Sequence, residues 1–109
     1  MKPTGVLVLA FLLFAATVKA GEIYGTVTDG GKPVAAGVKV EIKVAGKVYA
    51  GETDKFGSYR VIVKEKGKGV LTVHVNGQSP SLGLFSYDKS TRYDYVLEMK
   101  DSTLSIRRK

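Results

Sequence analysis

The 109-residue chain has no cysteine and a single histidine. The first absence removes disulfides, thiol nucleophiles and thiolate metal ligands together, so a small fold must rest on apolar packing and sheet hydrogen bonds. It also excludes lipid attachment at a cysteine behind a processed leader. The second absence leaves His74 without a recognisable nucleophile or paired acid, and it is expected as an exposed strand residue. Carboxylates are spread thinly and offer no facing pair for glycoside hydrolysis. Gly67, Lys68 and Gly69 lack the longer glycine-lysine-hydroxyl pattern of a phosphate cradle and are expected as a flexible turn. No recognition helix or aromatic RNA motif is present. These absences argue against catalysis, a cofactor, a metal and nucleic acid as a partner.

Long apolar runs are scarce too. The one that exists, residues 6–16, is shorter than the about 20 apolar residues of a spanning helix. It follows Lys2 and precedes the small-residue site Val18, Lys19, Ala20, which is the layout of a secretory signal. Residues 1–20 are therefore expected to be cleaved, leaving a chain in the periplasm or outside the cell with no transmembrane anchor. Loss of Lys2 and Lys19 from the 17 Lys and Arg leaves 15 against 10 Asp and Glu. That moderate excess suits solubility and anionic partners alike.

Apolar residues recur at every second position and almost nowhere at helical spacing, which predicts an all-β fold. Val38, Val40, Ile42 and Val44 share one face of a strand, and Lys39, Glu41 and Lys43 the other. Leu71, Val73 and Val75 repeat the pattern, as do Tyr93, Tyr95, Leu97 and Met99. Strands are predicted over 22–28, 38–44, 47–53, 58–64, 70–76, 81–87 and from Tyr93 to Met99. Seven short strands with turns between them imply an antiparallel β-sandwich with hairpin and Greek-key connections. One domain, 21–100, is expected, followed by a basic tail, 101–109, with no assignable partner.

The segment ETDKFGSYRV, residues 52–61, invites a reading as a metal or catalytic loop. Asp54 is the only carboxylate between Thr53 and Tyr59, whereas calcium takes about six to eight oxygen ligands. A tight bend fits better, with Asp54 accepting bonds from downstream amides and Gly57 taking a positive φ. Tyr59 alternates with Val61 and Val63 and is expected at the edge of the core.

GTVTDGGKPVAAGVKVEI followed by ETDKFGSYRVIV resembles the carboxypeptidase regulatory-like domains of bacterial secreted proteins. The similarity lies in Gly25, Val27, Thr28 and Asp29, then Pro33, Gly37, Val38 and Val40, then Thr53, Asp54, Gly57 and Tyr59. It implies a transthyretin-like (prealbumin-like) sandwich acting as a non-catalytic accessory or interaction module, sometimes of a sugar-binding kind. The enzymatic branch of that fold, the hydroxyisourate hydrolases, uses more than one histidine and a characteristic C-terminal tetrapeptide, both missing here.

Charge placement supplies the main functional candidate. If successive turns alternate between the two ends of the sandwich, Lys43, Lys47, Lys64, Lys66, Lys68, Lys89 and Arg92 collect at one pole, offset in part by Glu65 and Asp88. Such a pole suits an anionic envelope component or an acidic partner protein. An alternative is carbohydrate binding through Tyr24 and Tyr49, which fall out of phase with the buried positions of their strands.

Overall fold

The computed structural model describes residues 21–109, so the expected signal at 1–20 lies outside the described residues. Ten strands and no helix make up this part: β1 (Gly21–Asp29), β2 (Lys32–Pro33), β3 (Lys39–Val44), β4 (Lys47–Glu52), β5 (Ser58–Val63), β6 (Gly67–His74), β7 (Ser81–Ser86), β8 (Thr91–Arg92), β9 (Tyr95–Lys100) and β10 (Thr103–Arg108). They form two sheets facing each other across one core. In the first, β1 is central, with β5 and β2 along one side and β8 and β9 along the other, and β10 outside β9. The second runs β4-β3-β6-β7.

The two-residue alternation places the core between the sheets. Ile23, Val27, Tyr59, Val61, Val63, Tyr95 and Leu97 face inward from the first sheet. Val40, Ile42, Val44, Leu71 and Val73 meet them from the second, and Val38 is buried just before β3. Burying a side chain of this size stabilises by about 1.5–3 kcal/mol. Met99 keeps the phase of Leu97 but falls beyond the last residue that pairs β9 with β1, so it is 54% exposed.

Four expectations are corrected. The strand count exceeds seven, partly through the two-residue β2 and β8. Pairing is not wholly antiparallel, because β8 and β9 run parallel to β1. The segment after β7 passes beside the start of β1, where a Cβ on Gly21 would collide with the Tyr87 carbonyl oxygen, and continues in the direction of β1. Gly67, Lys68 and Gly69 are strand, not turn, paired with Ser86, Phe85 and Leu84 of β7. Glycine is needed at 69, where a Cβ would meet the Lys43 carbonyl oxygen at 2.6 Å.

The fourth correction concerns 101–109. This segment pairs along β9 as β10, from Thr103 opposite Lys100 to Arg108 opposite Tyr95. Leu104 is buried and Ile106 packs against the core. Gln78 fastens the hairpin from the neighbouring loop, its Oε1 accepting from Leu104 N at 2.8 Å and its Nε2 donating to the Ser102 carbonyl at 3.2 Å. The Arg108 guanidinium lies 4.8 Å from the centre of the Tyr93 ring.

Candidate functional site

The bend at 53–59 is a self-contained structural device. Asp54 Oδ1 accepts from the amides of Phe56 at 2.9 Å and Ser58 at 3.0 Å, and Gly57 has a φ of 74°. The Thr53 hydroxyl, buried, donates to the Ala35 carbonyl at 2.7 Å and accepts from Val38 N at 3.0 Å, tying the loop before β3 to the end of β4. Tyr59 reaches across the first sheet, its hydroxyl donating to the Tyr93 carbonyl at 2.6 Å. Burial above all, helped by the neighbouring Tyr95 and Asp94, pushes that hydroxyl well above its ordinary pKa.

Six of the seven basic candidates gather where the β3–β4, β5–β6 and β7–β8 connections meet. Val44 pairs with both Lys47 and Gly69, and Gly67 with Ser86, which draws the three connections into one end. Lys47 lies 3.7 Å from Glu65, and Lys66 lies 3.8 Å from Asp88. Lys43, Lys64, Lys68 and Lys89 are exposed and have no ion pair among the described residues. Sequence reasoning missed an aromatic pair at the same end. Phe85, cross-strand from Lys68, and Tyr87 stand with ring centres 4.7 Å apart, 39% and 43% exposed. The alternation of β7 was the available signal, since Phe85 is out of phase with Leu82 and Leu84.

Arg92 does not join that pole. It lies in β8 opposite Tyr24, with Nε 3.0 Å from Asp94 Oδ2. Tyr24 is also paired with Arg60 of β5, so one row across the outer face of the first sheet reads Arg60, Tyr24, Arg92. This row lines a groove of about 430 Å³ whose rim carries Glu52 and Asp54. Each arginine has its Nε against a carboxylate that accepts a further hydrogen bond. Arg60 meets Glu22 at 2.6 Å, and Glu22 accepts from Ser90 Oγ at 2.7 Å. Asp94 accepts from Thr26 N at 2.9 Å and Thr26 Oγ1 at 3.0 Å. Partial burial raises the Asp94 pKa, but the hydrogen bonds from Arg92 and Thr26 outweigh it and hold the carboxyl below its ordinary value.

Tyr49 departs from its expectation. It pairs with Ile42 and so takes the inward phase of the second sheet, packing against the core, with its hydroxyl 3.5 Å from Glu65. Among the described residues, Tyr24 alone of the two tyrosines lines the groove. His74 faces outward, as the alternation implies, but it has an acid partner that the sequence did not reveal. Its Nε2 is 2.5 Å from Glu41 Oε1 and its Nδ1 is 3.0 Å from Ser79 Oγ. The bond to His74, ahead of the attraction of Lys39, lowers the Glu41 pKa. No family model matches the chain, and neither does any curated protein.

Proposed function

We propose that the chain is an exported, non-catalytic binding module of the carboxypeptidase regulatory-like, transthyretin-like type, whose lysine-rich end engages an anionic surface of a bacterial envelope. The family reading draws support from where its residues fall. Val27 donates to the Gly57 carbonyl at 2.8 Å and accepts from Val34 N at 3.1 Å, while Gly37 donates to the Thr53 carbonyl at 2.8 Å. Residues far apart in the resemblance thus close one another's turns. The non-catalytic reading draws on His74, whose imidazole is engaged on both nitrogens on an outer sheet face.

The observation that carries the binding reading is the convergence of three connections that leaves Lys43, Lys64, Lys68 and Lys89 exposed, without ion pairs among the described residues, around Phe85 and Tyr87. Aromatic rings among lysines suit a lipid headgroup layer, where rings settle at the interface and each Lys contributes about 1 kcal/mol. The test is co-sedimentation with phosphatidylglycerol-containing and pure phosphatidylcholine vesicles. Binding to the anionic vesicles only is expected, weakening as salt shortens the Debye length from about 30 Å to about 8 Å. Reversal of Lys64, Lys66 and Lys68 to Glu lowers it by at least about a hundredfold on the same per-lysine figure. Unchanged low-salt binding by that variant removes the proposal.

A further inference from the structure

We infer that the groove on the outer face of the first sheet is a second, independent site, and that it takes a neutral carbohydrate. The site is built on the row Arg60, Tyr24, Arg92. Neighbouring strands lie about 4.8 Å apart, so two guanidinium-bearing strands stand about 10 Å apart with the phenol between them. Tyr24 is half-buried, and its ring offers an apolar face with a polar tip. The groove, at about 430 Å³, lies within the about 300–1,000 Å³ of small-ligand clefts.

Preorganisation is the second element. Arg92 bonds Asp94 through Nε and Arg60 is ion-paired with Glu22 through Nε, and no acceptor among the described residues takes their Nη hydrogens. The carboxylates have further partners, Ser90 for Glu22 and two bonds from Thr26 for Asp94. Two planar donor edges therefore flank a ring, the Arg92 edge oriented by its bonds to Asp94.

Charge balance selects the ligand. Glu22 and Asp94 match Arg60 and Arg92 one for one, and Glu52 and Asp54 add negative charge at the rim. A phosphate or uronate would find its two cationic partners already neutralised and further carboxylates close by. A neutral polyol finds what its hydroxyls need: N–H donors from the arginines, acceptors in the Glu52 carboxylate and the Asp54 oxygen that the bend does not use, and a ring for the C–H face of a sugar. This is the opposite electrostatic choice from the lysine end, so the two sites have separate ligands and separate tests.

The experiment is a titration of the protein with cellohexaose, xylohexaose, mannohexaose, chitohexaose and, as the acidic arm, hexagalacturonate, followed by amide chemical shifts. At least one neutral hexasaccharide is expected to bind and to shift the amides of residues 24–26, 58–60 and 92–94. Tyr24→Ala should lower its affinity at least tenfold with the far-ultraviolet spectrum unchanged, and Tyr24→Phe should retain most of it. Glu52→Gln, on an exposed strand end, gives a folded variant that should weaken binding several-fold. The lysine reversals at 64, 66 and 68 should leave sugar binding as it was. The inference is overturned if no neutral member of the panel binds, if hexagalacturonate binds more tightly than all of them, or if Tyr24→Ala binds as well as the wild type.

Discussion

Three buried tyrosine hydroxyls that look alike in the sequence have different surroundings, and their removal separates them. Tyr59 donates to the Tyr93 carbonyl at 2.6 Å. Tyr93 donates to the Phe85 carbonyl at 2.9 Å and accepts from Phe85 N at 3.2 Å, covering part of the β7 edge. Tyr95 is fully buried with no partner for its hydroxyl among the described residues. Replacement by Phe should therefore cost about 1–3 kcal/mol at 59 and at 93, since a backbone group loses its partner, while at 95 it should be neutral or stabilising. Urea unfolding of the three variants measures this, and equal costs would refute it. The alternation made all three legible as inward-facing, but a hydroxyl's partner comes from another strand and leaves no trace in the local pattern.

Asp94 gives the residue scale a pH dependence. Its carboxyl is held below the ordinary 3.8, the bonds from Arg92 and Thr26 overcoming the effect of burial. A depressed folded pKa means that its contribution is full above the unfolded value and disappears as pH falls through the folded one. The wild type should thus lose stability from about pH 4 downward, and Asp94→Asn should show a shallower decline over the same range in urea midpoints. Parallel acid limbs would contradict the assignment.

At the scale of elements, β10 is the strand that sequence reasoning did not foresee. A hairpin between apolar runs is usually announced by Asn-Gly or Asp-Gly, whose residues tolerate positive φ. Here Asp101 and Ser102 adopt φ of 48° and 70° without a glycine, so the turn was silent. A non-glycine residue in that region costs about 1 kcal/mol. Ser102→Gly should recover a similar amount and raise Tm by about 4–8 °C for a domain of this size. Leu104→Ala, at a buried position, should cost about 2–5 kcal/mol if β10 is part of the core. A loss below about 0.5 kcal/mol is what an unpaired tail would give. By contrast β3 was plain in the sequence, because Val40, Ile42 and Val44 alternate strictly with charged residues and one face is buried.

For the whole molecule, the two ends and the two outer faces carry different chemistry. The lysine end could be read from the chain because loop parity needs only the number of strand crossings, and six of the seven basic residues assigned to it lie there. Arg92 escaped that rule because β8 enters the first sheet beside Tyr24 before the chain reaches β9. The groove stayed hidden for the same reason. Tyr24 read as outward-facing, but which strands lie beside it is decided by sheet order, which periodicity does not encode.

The proposed envelope contact requires the lysine end to be the surface that meets an anionic layer. Amide line broadening on addition of phosphatidylglycerol nanodiscs tests this directly, with phosphatidylcholine nanodiscs as the reference. Broadening should centre on residues 43–47, 64–68 and 85–89, leave 24–26 and 101–106 sharp, and vanish in high salt. Broadening spread evenly over both ends, or equal with the zwitterionic discs, would contradict it.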